Sequence, residues 1–367
     1  MPQKIAVLAA GGTGGHLFPA QALAEELGRR GYDIHLMTDE RVRDYGKSFP
    51  AIATHVVPSA TLSLGRAWRM PAGSLRLYRG YRQARAILTA LKPRVVVGFG
   101  GYPSLPPILA ATRLGIPTCL HEQNAVMGRA NRLLARFATK IASSFPKLAA
   151  PAKARGKVIV TGNPVRDLAL KEKAALYPPL GPEKPFNLLI FGGSQGARFF
   201  GEFMPRAIAC LNRDMLSTLH LTQQCRLEDI EAAREAYGKL GFDFELQPFF
   251  MDMPRRIASS HLVICRSGAS TIAELGVIGR PAIMVPLPHA IDNDQLRNAE
   301  SFASAGAGWI CPQADLEPKE FAAFLTRLRY DDKELKRAAA AAIGHGMPDA
   351  ALRLADLTEE LAGMQTP

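Results

Sequence analysis

Short apolar runs alternate with stretches of helical periodicity along most of the chain, and glycine builds several of the turns between them. IAVLAAGGTGGH (residues 5–16) is an apolar run, a glycine turn and the opening of a helix, with Pro19 well placed for its first turn. NLLIFGGSQGAR (187–198) repeats that arrangement about half a chain later. A second repeat follows the first. RVVVGFGGYPS (94–104) leads through a helical stretch to GIPTCLHEQN (115–124). HLVICRSGAST (261–271) leads through another to GRPAIMVPLPH (279–289) and DNDQ (292–295). Strands alternating with helices predict a parallel sheet in each half, with ligands bound beyond the strand C-termini. The polar residues of both repeats fall at those predicted ends. Two nucleotide-fold halves facing one cleft are expected.

A length of 367 residues suggests two domains. We expect an N-terminal Rossmann-like domain over 1–162 and a C-terminal one over 163–346. The linker is expected near 163–187, where NP (163–164) and YPPLGPEKP (177–185) interrupt any periodicity. From Asp349 onward, Leu354, Leu357 and Leu361 share one helical face, so a terminal helix within about 347–367 is expected to pack back over a sheet. The charge-free run from Val95 to Thr112 is broken by three glycines and three prolines. It reads as a strand, a loop and a helix start, so no membrane span is expected. The apolar stretch at 5–10 is too short for a secretory signal.

Charge changes this picture most. Residues 1–166 hold 24 Lys and Arg against 7 Asp and Glu, and the remainder holds 21 against 26. The N-terminal half is thus suited to a polyanionic or membrane-surface partner. Within it, Arg76, Arg79, Arg82 and Arg85 recur beside an apolar stripe of Leu77, Tyr81, Ala84 and Leu88, with Trp68, Arg69 and Met70 just before. A basic amphipathic helix of this kind fits contact with an anionic membrane, although an ordinary surface helix has the same pattern. No nucleic-acid motif accompanies it. Five scattered cysteines lack metal-ligand spacing and read as reduced thiols, with Cys265 a small buried hydrophobe.

The glycine turns lack the third glycine of a dinucleotide fingerprint, and no G-K-[ST] follows them. They suit a phosphate or another oxyanion at a helix N-terminus. His16 sits at such a helix mouth. There it can act as a general base or orient an acceptor, and the positive helix end favours its neutral form. Glu122, alone among basic residues, either pairs with an arginine or orients a base or hydroxyl. Asn124 and Gln295 can hydrogen-bond sugar hydroxyls, and Glu274 can accept from a ribose or serve the helix dipole. Asp292-Asn-Asp294 resembles a metal clamp, but such residues commonly shape loops, and no metal is expected.

GGTGGHLFP (11–19), HEQN (121–124), GNPVR (162–166), GGSQGAR (192–198), CRSGASTIAE (265–274) and DNDQLRNA (292–299) occur in the order found in the MurG family. The chain therefore resembles the UDP-N-acetylglucosamine–N-acetylmuramyl-(pentapeptide) pyrophosphoryl-undecaprenol N-acetylglucosamine transferases over nearly its whole length. The resemblance implies an α/β GT-B fold, with two Rossmann-like domains whose parallel sheets face a central cleft. It implies an inverting, metal-independent hexosyltransferase that needs no cofactor and converts lipid I to lipid II in peptidoglycan synthesis. The implied partners are UDP-GlcNAc, lipid I and the anionic surface of the bacterial inner membrane, on whose cytoplasmic face the protein would lie peripherally. Cell-wall synthesis and division proteins are further expected partners. By the same resemblance, Thr13, Gly14, Gly15, Asn124, Arg166, Ser194, Gln195, Ala269, Ser270, Thr271 and Gln295 contact the UDP-sugar, Glu274 holds the ribose, and the uracil lies against backbone near Phe250. His16 and Glu122 both match positions from which a catalytic base is proposed. Two readings from other classes remain beside it: a UDP-sugar 2-epimerase of the same fold, and a non-catalytic lipid- or nucleotide-binding protein.

Overall fold

The computed structural model describes residues 4–12, 14–40, 49–60, 70–148, 150–193, 196–288 and 290–364. The chain divides into two compact units, Met1–Arg166 with Pro348–Pro367, and Asp167–Met347.

The strands of the first unit are β1 (Ile5–Ala9), β2 (Asp33–Thr38), β3 (Ala53–Val56), β4 (Val95–Gly98), β5 (Thr118–Glu122), β6 (Lys140–Ser143) and β7 (Val158–Val160). They form a parallel sheet in the order β3-β2-β1-β4-β5-β6-β7. Helices α1 (Gly14–Arg29), α2 (Met70–Leu91), α3 (Leu105–Arg113) and α4 (Arg129–Leu134) connect them. Both faces of the central strands are covered, which is why these strands read as unbroken apolar runs. Leu8, Val95 and Val97 point to one core with Leu23 and Leu27 of α1, whereas Val7 and Val96 point to the other with Leu88 and Ile108.

The second unit opens with α5 (Asp167–Lys171) and continues with β8 (Phe186–Phe191), α6 (Arg198–Ile208), α7 (Arg213–Thr218), β9 (Leu219–Gln224) and α8 (Ile230–Gly238). Then come β10 (Asp243–Gln247), α9 (Met253–Ser259), β11 (Leu262–Cys265), α10 (Ala269–Ile278), β12 (Ala282–Met284), α11 (Asp294–Ser304) and β13 (Gly308–Ile310). Its parallel sheet has the order β10-β9-β8-β11-β12-β13. Helices α12 (Pro318–Tyr330) and α13 (Asp332–His345) close the unit. In both sheets the unit's first strand is internal and the order reverses beside it, between β1 and β4 and between β8 and β11. Ligands of such sheets bind at these switch points, beyond the strand C-termini.

The last helix, α14 (Ala350–Gly363), belongs to the first unit. Leu354, Leu357 and Leu361 are buried in the same core as α1 and β4. Arg30, just beyond α1, bridges Asp356 and Glu359 at 2.7 Å each. Exposed ion pairs contribute up to about 1 kcal/mol. A fully buried leucine contributes about 1.5–3 kcal/mol, so the three leucines dominate this attachment.

Residues 163–187, read from sequence as the linker, are bound to the second unit over much of their length. The buried Arg280 guanidinium donates to the carbonyls of Ala175, Leu176 and Ala258. Arg329 donates to those of Gly181 and Lys184. The prolines do interrupt local periodicity, but side-chain donors from distant elements satisfy the exposed backbone. Among the described residues, no helix is long and apolar enough to cross a membrane.

Candidate active site

At the first switch point, the turn after β1 faces the turn after β4. Gly100 and Gly101 have φ of 82° and 68°, a region that favours glycine. A Cβ on either would come within 3.5 Å of a His16 ring carbon, and one on Gly100 within 3.2 Å of Asn131 Nδ2. The His16 ring, in the first turn of α1, therefore packs over this turn. Ser104 Oγ lies 2.9 Å from the Ala9 carbonyl and 2.7 Å from that of Gly100, tying the β1 end to the same turn.

Glu122 ends β5 and is 1% exposed. Its oxygens accept from Asn131 Nδ2 at 2.8 Å, Gly128 N at 2.9 Å and Asn124 N at 3.1 Å. Burial raises its carboxyl pKa, and these donors offset only part of that rise. The carboxylate gathers the loop that carries Asn124. Beside it, His121 is fully buried, and burial pushes its pKa down to about 4. Its Nε2 is 3.1 Å from the Gly162 carbonyl, which can only accept, so Nε2 carries the proton and Nδ1 accepts from Gln123 at 3.1 Å. Gln123 also donates to the Phe99 carbonyl at 2.8 Å, linking β5 back to β4. Arg166, just beyond β7, stacks 4.2 Å over the Phe18 ring of α1. The first unit thus collects Gly14, Gly15, His16, Glu122, Asn124 and Arg166 at one edge.

At the second switch point, Gly192 ends β8. A Cβ there would lie 2.3 Å from the Ala197 nitrogen, so only glycine fits this turn. Its N–H donates to Gln224 Oε1 at 3.3 Å. Helix α10 starts beyond β11 behind Gly268 and α6 behind Ala197, and among the described residues neither N-cap position makes a side-chain cap hydrogen bond; uncapped N–H groups of this kind suit an anion. Ala269, Ser270 and Thr271 form the first turn of α10, and Glu274 is buried in its second. Ser270 Oγ is shielded from solvent without a protein hydrogen-bond partner among the described residues. Gln295, in the first turn of α11, accepts from Leu287 N at 3.0 Å through Oε1, which leaves its NH2 as the group available to a ligand. Phe250 is buried in the loop between β10 and α9.

Thr13, Ser194, Gln195, Trp68 and Arg69 lie outside the described residues. Arg76, Arg79 and Arg82 are exposed on α2, where Arg76 pairs with Glu40 at 2.9 Å. Cys265 is wholly buried at the end of β11, and burial raises its thiol pKa. Among the described residues, no group of three His, Cys, Asp or Glu side chains could hold a metal ion. Asp292 and Asn293 instead adopt φ of 58° and 53° and shape the turn into α11.

Two residues escaped the sequence reading. Asn131 is a buried side-chain donor to Glu122. Arg266, 7% exposed at the end of β11, donates to the Val285 and Pro286 carbonyls at 3.0 and 3.1 Å and to Gln313 Oε1 at 2.7 Å. Its place inside the CRSGAST motif, directly before the predicted anion-binding helix, was the available signal.

Two Rossmann-like units, each with a glycine turn at its switch point, are the architecture of a GT-B glycosyltransferase. Residues 6–143 match the glycosyltransferase family 28 N-terminal domain and 187–354 its C-terminal domain. The chain is 48% identical to the UDP-N-acetylglucosamine–N-acetylmuramyl-(pentapeptide) pyrophosphoryl-undecaprenol N-acetylglucosamine transferase of Rhizobium etli, across 100% of this chain and 98% of the relative. The crystal structure of Acinetobacter baumannii MurG matches with a TM-score of 0.79 and 31% identity, over 97% of this chain and 99% of that one. A UDP-GlcNAc 2-epimerase from Neisseria meningitidis, bound to UDP-GlcNAc, has a TM-score of 0.68 at 14% identity, over 98% of this chain and 100% of that one; it shares the fold alone. The chain belongs to glycosyltransferase family 28, in the family of the UDP-N-acetylglucosamine–N-acetylmuramyl-(pentapeptide) pyrophosphoryl-undecaprenol N-acetylglucosamine transferases.

Proposed function

We infer that the chain transfers N-acetylglucosamine from UDP-N-acetylglucosamine to N-acetylmuramyl-(pentapeptide) pyrophosphoryl-undecaprenol, the step from lipid I to lipid II. The observation that carries this is the 48% identity with the Rhizobium etli transferase, spread over the whole of both chains. The reaction is an inverting displacement. The muramyl C4 hydroxyl oxygen attacks the sugar C1, the bond from C1 to the diphosphate breaks, and UDP leaves with the electron pair. The hydroxyl proton goes to a base.

On this reading His16 is the base. It stands in the first turn of α1, where the positive helix end favours a neutral imidazole. Glu122 is the positioning group, because its oxygens are already held by Asn131, Gly128 and Asn124 and it is closed to solvent. Ser270 and the first N–H groups of α10, together with Ser194, Gln195 and Arg166, carry the charge that develops on the diphosphate. These fixed donors supply what a divalent ion supplies elsewhere. Glu274 takes the ribose hydroxyls, and Asn124 and the Gln295 amide take sugar hydroxyls. The basic face of α2 rests on the anionic cytoplasmic leaflet. Leu75 and Tyr78, 51% and 57% exposed among its arginines, support that contact.

Purified protein given UDP-GlcNAc and a lipid I analogue should release UDP and form the disaccharide. His16→Ala should slow turnover by roughly 10²–10⁴. Absence of product across several detergents, or isomerised UDP-sugar without acceptor, would reject the transferase. Full turnover by His16→Ala would reject the base. Replacing Arg76, Arg79 and Arg82 together should weaken binding to anionic vesicles, most at low salt. Equal binding would remove the membrane face.

A further inference from the structure

The loop from Pro248 to Asp252 is held from both sides. At its start, Gln224, 3% exposed, donates to the Pro248 carbonyl at 3.2 Å while accepting from Gly192 of the second glycine turn. At its end stands Arg256, in the first turn of α9. Its two Nη atoms bind the Glu245 carboxylate of β10 at 2.5 and 3.1 Å. Its Nε binds Asp252 at 2.8 Å, and its guanidinium lies 4.1 Å over the Phe250 ring. One planar group thus joins a strand, a loop carboxylate and the buried aromatic of that loop. The neighbours of Phe250 on either side, Phe249 and Met251, are 54% and 82% exposed.

This geometry matters because a nucleobase is read through its edge. Uracil presents one N–H between two carbonyls, and cytosine presents a different order of donors and acceptors. Backbone groups can tell them apart only if held to within about 0.5 Å. The Phe250 ring cannot supply an open stacking face where the guanidinium already covers it, so the backbone of the loop remains as the reader.

We propose that Arg256 is a positioning residue for the donor's base: its fork to Glu245 and Asp252 fixes the Phe249–Met251 backbone and so sets the choice among nucleoside diphosphates. This rests on the reading that the loop receives the uracil. A partly exposed ion pair contributes little to global stability. Lysine cannot reproduce a bidentate fork combined with ring stacking.

The test uses Arg256→Gln, Arg256→Lys and Glu245→Gln in the full chain, with inhibition by UDP and by CDP as probes. Arg256→Gln should raise KM for UDP-GlcNAc and lower the preference for UDP over CDP, each by roughly tenfold. Its kcat, acceptor KM and urea midpoint should stay near wild type. Arg256→Lys should recover part of the preference, and Glu245→Gln should shift it in the same direction by less. Equal loss toward both substrates, or a fall in kcat alone, would make Arg256 a general structural residue and overturn the proposal. Hydrogen exchange of residues 249–252 in wild type separates the two claims. Absence of protection by UDP removes the base reading and the proposal together. Protection by UDP, with the UDP preference unchanged in Arg256→Gln, overturns the role of Arg256 alone.

Discussion

In the first unit a carboxylate gathers the loop after β5; in the second a guanidinium just beyond β11 gathers the segments after β12 and β13. Glu122 draws two backbone N–H groups and the Asn131 amide toward itself. Arg266 draws two carbonyls and the Gln313 oxygen toward itself. The difference lies in what is left for a ligand. Around Glu122 the N–H groups are spent on the carboxylate, and on the proposed reading that edge receives the acceptor. Around Arg266 the carbonyls are spent, the donors at the start of α10 remain, and a positive charge stands behind them. On the proposed reading that edge holds the donor diphosphate.

The sharpest way to break this comparison is Arg266→Leu. It leaves three acceptors without their donor, at about 1–3 kcal/mol for each that stays buried and unpaired. It also removes the charge behind α10. Donor kcat/KM should fall by roughly 10²-fold or more, comparable to losing one preorganised donor. Unchanged kcat/KM would show that the charge is irrelevant to the donor edge. Glu122→Gln comes next, because its amide must point N–H groups at N–H groups. A loss of about 1–3 kcal/mol in a urea titration is expected, with a smaller fall in turnover than for His16→Ala. A larger fall would return the base to Glu122.

The smallest effect is with pH, and each unit contributes to it. Burial pushes His121 in the first unit and His261 in the second down to about 4. Each stays neutral when folded, while the unfolded chain charges near 6.5. Unfolding therefore takes up protons between those values. The stability of both groups is complete above pH 6.5 and is lost as pH falls toward 4. About 1 kcal/mol from each should be gone by pH 5.5. Glu122, raised by burial, opposes this in the first unit by taking its proton in the folded state first. Urea midpoints at pH 7.5 and 5.5 test the sign. His261→Gln should flatten the slope, and an unchanged slope would show that this histidine titrates normally.

Much of the alternation was legible beforehand. Strands buried on both faces appear as apolar runs, and the repeats located β4, α3 and β5, then β11, α10 and β12. The arginine keystones were less legible because their partners are remote. The motif around Arg266 marks its position but not that it turns inward, since its acceptors lie 19, 20 and 47 residues on. The prolines after Tyr177 read as linker because the arginines that bind that segment stand more than 100 residues away. Glu122 could be singled out by its isolation among basic residues, but its donors, two, six and nine residues on, lie on a loop and a short helix whose turn back onto it no periodicity announces.

The placement of α14 has a consequence for biosynthesis. The first unit is interrupted by residues 167–347, and its closing helix is translated only after that insertion. At about 5–20 residues per second, that insertion takes roughly 10–40 s to translate. Throughout that time the patch awaiting Leu354, Leu357 and Leu361 is uncovered, although the rest of the sheet has been made. The second unit is contiguous and can be finished first. The half that carries His16 is thus completed after the half that carries Glu274, and a nascent chain still lacking α14 leaves that apolar patch open to chaperones and proteases.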